Sequence, residues 1–150
     1  DIRKDLKAPD MPFVIGVIGT VGKIENIRGI YQWGNIEKWF QGIERFRKSM
    51  AAPASMPEFK GNVKAVLTEN YMDPELVRMD WEYGQFSKSL GKLSKEEKEQ
   101  KIQEKFSERE LKVLRTGKSN KAYHYFGSGK FFALVGEAFA EAVLELHAGK

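Results

Sequence analysis

His124 is one of two histidines in the chain. It stands in a turn-rich stretch, Ser119-Asn120-Lys121-Ala122-Tyr123-His124-Tyr125-Phe126-Gly127-Ser128, that runs straight into an amphipathic helical pattern. An imidazole titrates near neutrality and can pass a proton through either ring nitrogen, so one held in a loop is a candidate general base. A histidine between aromatic neighbours can equally be a packed, hydrogen-bonded residue, and residue types alone leave both readings open. The position bears on the choice: several hydrolases deliver their base from a loop ahead of the last helix to a serine held after the first strand. His147, near the end of the final helical pattern, reads as a favourable cation at a helix carboxyl terminus or as a solvated side chain.

Carboxylates are the next chemical resource. Glu69, Asp73, Glu75, Asp80 and Glu82 could in principle supply a glycoside-hydrolase pair, but sequence spacing does not set the separation such a pair needs. Glu69 follows a strand candidate, where parallel sheets place ligand-facing groups, and otherwise reads as a surface loop residue. Gly16, Gly19 and Gly22 form a Gly-x-x-Gly-x-x-Gly pattern. A dinucleotide fingerprint needs Gly-x-Gly-x-x-Gly and a phosphate loop needs Gly-Lys-Ser/Thr; Gly22-Lys23-Ile24 provides neither. These glycines are expected to allow a tight exit from a buried strand. The chain has no cysteine, which removes disulfides and thiolate metal sites, and no cofactor or metal is expected.

Several elements must position these groups. Ile2 and Leu6, at i and i+4, suggest the tail of a helix, ended by Pro9 and Pro12, and the chain reads as starting in the middle of a fold. The apolar, β-branched run 13–19 predicts a strand buried on both faces. Ile36, Trp39, Phe40, Ile43, Phe46 and Met50 predict one face of a helix that covers a sheet. Pro53 and Pro57 end it, and the run 63–68 predicts a second strand, parallel to the first through a strand–helix–strand crossover. Residues 70–117 are more charged and carry no strand signal. Ser94-x-x-Glu97 and Ser107-x-x-Glu110 are capping boxes that predict helix starts within this helical insertion. Finally Phe131, Leu134, Val135, Ala138, Ala142, Val143 and Leu146 share one face of a helix from about 129, with Gly149 as its stop.

Composition bounds the function. A chain of 150 residues that is 41% hydrophobic is one globular domain in size. Its net charge of +4 comes from 25 basic residues interleaved with 21 acidic ones, as in Lys95-Glu96-Glu97-Lys98-Glu99, the pattern of a solvated helix face. Nucleic-acid binding asks for segregated basic residues with aromatics between them, so no nucleic-acid partner is expected. No apolar run approaches the roughly 18 residues that span a bilayer, and no membrane association is expected.

Four stretches resemble a known family. These are residues 2–6 with Ala8-Pro9-Asp10-Met11-Pro12-Phe13-Val14-Ile15-Gly16; Phe46-Arg47-Lys48-Ser49-Met50-Ala51-Ala52-Pro53; Phe59-Lys60-Gly61-Asn62-Val63-Lys64-Ala65-Val66; and Tyr123-His124-Tyr125 through Gly136-Glu137-Ala138-Phe139-Ala140-Glu141-Ala142. In this order they look like the second half of a sialate O-acetylesterase-like carbohydrate esterase of the SGNH hydrolase superfamily. The resemblance implies a partial three-layer α/β/α, flavodoxin-like fold across 1–150. It also implies hydrolysis of acetyl esters on sugars by a serine nucleophile, and a periplasmic or extracellular setting. That serine lies in a Gly-Asp-Ser or Gly-Gln-Ser motif, absent here, so the nucleophile and most of the oxyanion hole are expected upstream of Asp1, in the remainder of the same domain. Ser128 follows Gly127 but begins the last helix. Only His124 carries over as a catalytic residue. The family's aspartate three residues before the histidine is replaced here by Lys121, which cannot orient an imidazole. The expected partner is an acetylated carbohydrate. The alternative is a non-catalytic carbohydrate-binding or interaction module, with Tyr31, Trp33, Trp81 and Tyr83 as exposed stacking aromatics, and a third is a half-domain that joins a separate chain.

Overall fold

A computed structural model describes residues 2–31 and 34–148. A four-residue helix, α1 (Ile2–Asp5), leads to strand β1 (Phe13–Val17). A short helix α2 (Ile24–Ile27) and a longer α3 (Ile36–Ala51) follow. Tight 3₁₀ turns at Ala52–Ser55 and Pro57–Phe59, each with proline in its first turn, bring the chain back to β2 (Val63–Leu67). The two strands pair in parallel, from Phe13 opposite Val63 to Val17 opposite Leu67, so the strand–helix–strand unit forms as its pattern predicts.

The strands are less buried than expected. Phe13 is 37% exposed, and of β1 only Val17 is fully buried. The reason is topological: among the described residues these are the sheet's only two strands, so both edges are unpaired and cover comes from the faces alone. On one face, Ala138 and Ala142 of α7 (Gly129–Ala148) pack on Val66, with Val14 and Phe139 beside them. Residues of the opposite parity look the other way. Phe13, Ile15 and Val63 share a cleft with Pro53, and Leu67 shares one with Arg47 and Ala51 of α3. The result is an α/β arrangement, mostly helical, around a small parallel sheet.

Helix α3 is rotated from its predicted phase. Phe40 and Arg47 are its buried residues, while Phe46 is 57% exposed. The inward line runs 36, 40, 43, 47, and its last member is a guanidinium that a search for apolar spacing passes over. Helix α7 keeps its predicted face, with Phe131, Ala138, Ala142 and Leu146 buried; Gly149 lies outside the described residues.

Residues 74–116 form three helices and no strand: α4 (Pro74–Ser89), α5 (Lys95–Lys105) and α6 (Glu108–Thr116). Both predicted capping boxes form. The Ser94 hydroxyl accepts from the Glu97 amide at 3.2 Å and the Glu97 carboxylate accepts from the Ser94 amide at 2.8 Å; Ser107 and Glu110 repeat the exchange at 3.3 and 3.0 Å. These helices own a small apolar cluster of Ile102, Phe106 and Leu111 against Tyr83, Phe86 and Leu90. The main core, including Ile27, Phe40, Val77, Phe126 and Phe131, lies beyond the sheet, between α2, α3, α4 and α7.

Candidate functional site

Parallel strands end on the same side, and here the two exits are locked together. The Thr68 hydroxyl donates to the Val17 carbonyl at 2.7 Å. Gly19 lies so close to the β2 exit that a Cβ there would sit 2.1 Å from the Glu69 amide nitrogen. A Cβ on Gly16 would meet the Phe139 ring at 2.7 Å, and Gly22 holds φ at +81°. The glycine triplet thus serves a tight strand exit and close packing.

Behind that exit stands Arg47, 6% exposed. Its Nε donates to the Ile18 carbonyl at 2.9 Å, and its Nη2 donates to the carbonyls of Thr20 and Gly22, each at 3.0 Å. Its Nη1 is paired with the Glu69 carboxylate. One planar cation therefore binds three carbonyls of the β1 exit and the first acidic group after β2. Arg47 and Glu69 also line a cleft of about 390 Å³ with Ile24, Glu44 and Leu67. Glu69 is accordingly a structural partner, not the loose surface residue its position also allowed.

His124 lies in the 3₁₀ segment Ala122–Gly127, whose path is unusual. Tyr125 (φ 53°) and Phe126 (φ 57°) are both left-handed, a conformation that costs energy for bulky residues and persists only where the surroundings enforce it. The surroundings do so. The Lys121 carbonyl accepts from the amides of His124 and Phe126 at 2.9 and 3.0 Å, and the Phe126 carbonyl accepts from those of Ser119 and Asn120 at 2.8 and 2.9 Å. The Phe126 ring is fully buried. Tyr125 stacks on Phe131 at 4.3 Å between centroids, and its hydroxyl oxygen accepts from the Gly19 amide at 3.3 Å. The segment is thereby fastened over the β1 exit.

The His124 side chain is exposed. Its ring meets Tyr123 edge-on at 4.5 Å, and among the described residues it makes no side-chain hydrogen bond. It is therefore not a packed, hydrogen-bonded core histidine. Lys121 is also exposed, and it contributes its carbonyl to the turn rather than a group to the ring.

The remaining candidates have other employment. Asp73 caps α4, accepting from the amides of Glu75 and Leu76 at 3.0 and 3.3 Å, and pairs with Lys130 at 2.8 Å. Burial pushes its carboxyl up, but the Lys130 hydrogen bond and the two amides outweigh this and hold it below the usual range. Lys130 is raised in return by the same hydrogen bond. Glu75 pairs with Arg109, Asp80 with Lys118 and Glu82 with Arg78, so each of these carboxylates is engaged by a cation. Ser128 is buried and accepts from the Phe131 amide at 3.4 Å as the cap of α7. Tyr31, expected to be exposed, is buried, with Trp81 edge-on at 4.8 Å. Tyr83 packs on Phe106 at 5.7 Å. The Tyr31 ring is enclosed, while Trp81 and Tyr83 are half-buried; Trp33 lies outside the described residues.

Sequence reasoning missed Arg47 and Tyr125. Arg47 had a faint signal, its spacing of four from Ile43 and seven from Phe40. Tyr125 had only its place beside His124. No protein family, curated protein or solved structure matches this chain. Among the described residues no group of three or more His, Asp or Glu side chains could hold a metal ion, and no helix is long and apolar enough to cross a membrane.

Proposed function

We propose that this chain is the carboxyl-terminal part of an SGNH-type serine esterase, sialate O-acetylesterase-like, in which His124 is the general base for removing O-acetyl groups from carbohydrates. The observation that carries this reading is the hydrogen bond from the Gly19 amide to the Tyr125 hydroxyl oxygen. It seats the His124 turn over the carboxyl ends of two parallel strands, the side on which open α/β sheets bind ligands, with the imidazole exposed. In this reading α3, the sheet and α7 belong to a three-layer α/β/α domain, residues 70–117 are an insertion, and the unpaired sheet edges are continued by the remainder of the domain. That remainder brings the serine, the oxyanion hole and the acceptor that orients the His124 ring.

The chemistry follows from the base. His124 takes the serine proton as the oxygen attacks the acetyl carbonyl, then gives it to the departing sugar hydroxyl, leaving an acetyl-serine. Water attacks that ester with the same ring taking and returning the proton. Acetyl release should be assayed with a polypeptide extended upstream through its Gly-x-Ser motif, alongside its His124→Ala variant. The variant is expected to lose at least about 10³-fold in rate, and equal rates would remove His124 from the mechanism. The 150-residue chain alone is expected to be inert.

A second reading, a non-catalytic carbohydrate-binding module, draws on the Tyr123 ring, 65% exposed beside His124, and on the lysine at 121. It predicts glycan binding by the extended polypeptide with no acetyl release, a result that would displace the first reading.

A further inference from the structure

The loop that receives Tyr125 is held largely from outside. Within residues 18–22 the backbone makes one bond, from the Gly22 amide to the Gly19 carbonyl at 2.9 Å. Val21, a β-branched residue, sits at φ 64°, where only enforcing contacts keep it. Those contacts come from the main core, against which Val21 packs, and from the buried Arg47, bonded to the carbonyls at 18, 20 and 22 and paired with Glu69. From the front of the same loop the Gly19 amide points to Tyr125, itself left-handed. Two strained segments therefore meet through one hydrogen bond, with a guanidinium behind it.

We propose that Arg47, fixed by Glu69, is a positioning residue for His124. Its three carbonyl contacts hold the loop in the shape that aims the Gly19 amide at Tyr125, and so set the seat of the His124 turn. The functional consequence rests on the reading of His124 as a base, whereas the seat is a property of this chain. Lysine is not a substitute, because one ammonium cannot span three carbonyls and a carboxylate in the plane of a guanidinium.

The test is nuclear magnetic resonance on the 150-residue chain, following the Gly19 amide and both histidine rings. His147 is a built-in reference, roughly 28 Å along α7 from Ser128 at 1.5 Å per residue. Arg47→Lys and Tyr125→Phe are each expected to move the Gly19 amide and the His124 ring and to leave the His147 ring unchanged. The double variant is expected to move the His124 ring no further than the larger single change, as coupled sites do. A folded Arg47→Lys chain with an unmoved His124 ring overturns the proposal, as do shifts that simply add. Should Arg47→Lys fail to fold, Glu69→Gln replaces it in the same comparison with the same two outcomes. Failure of the esterase reading shows elsewhere, as unchanged acetyl release by His124→Ala, and leaves this coupling to stand or fall by itself.

Discussion

Two glycines of one triplet make opposite predictions from the atoms they face. A methyl group on Gly19 meets the backbone at Thr68 and Glu69, at 2.1–2.6 Å, and backbone in a paired strand exit cannot move aside. Gly19→Ala is expected to cost at least about 3 kcal/mol, at the upper end of overpacking. A methyl on Gly16 meets the tip of the Phe139 ring, which can swing, so Gly16→Ala is expected to cost about 1 kcal/mol. Urea unfolding of the two variants checks the order, and equal losses would show that the strand exits are not locked. Arg47→Met strands the Glu69 carboxylate in a largely buried pair and is expected to cost about 3 kcal/mol by the same measurement. His124 was legible in the sequence because its type is rare and its neighbours form turns. Arg47 was not, since a charged residue on an apolar stripe is normally read as a boundary of the stripe. Nothing in the spacing states that three carbonyls converge on it.

Elements were legible where local chemistry decides them. The Ser-x-x-Glu boxes place the starts of α5 and α6 because donor and acceptor lie within four residues of each other. The apolar, β-branched runs at 13–19 and 63–68 predict strands for a similarly local reason, and the strands form over 13–17 and 63–67. Asp73-Pro74 carries the same kind of local signal, aspartate at the cap and proline at the first position, and α4 starts there. The phase of α3 was less accessible, because its inward face depends on where the β1 exit loop offers acceptors. Ser107→Ala removes a cap from α6, whose Leu111 and Leu114 are buried, and is expected to cost about 1 kcal/mol. Ser107→Asp, which keeps an acceptor at the cap, should restore most of it. Thermal unfolding of both variants checks this, and equal stability in Ser107→Ala would mean that packing alone holds the helix.

At the scale of the whole molecule, stability against pH reports how the elements close on one another. Tyr31 follows α2 and is enclosed with Phe40, Leu76 and Val77. Burial, aided by the Asp80 charge, pushes its phenol up from 10.0 to about 12. A phenol is neutral in its acid form, so a folded pKa above the unfolded one gives stability that is complete below pH 10 and lost as pH rises toward 12. Lys130 shifts in the same direction through its hydrogen bond to Asp73, so it too contributes at neutral pH and loses its contribution in base. Asp73 has the opposite dependence: with its carboxyl held below the usual range, its contribution is present above the ordinary aspartate pKa and fades as acid protonates it. Tyr31→Phe separates the phenol from the rest. Phenylalanine fills nearly the same volume and does not titrate, so its unfolding free energy should fall less steeply between pH 9 and 11. Only the pH unit above the unfolded pKa of 10.0 counts by pH 11, so there the difference from wild type should be at most about 1.4 kcal/mol, from 1.36 kcal/mol per pKa unit. Urea unfolding at successive pH values measures both curves. Parallel curves would mean that Tyr31 meets water in the folded chain, and the packing of α2 and α4 around it would have to be redrawn.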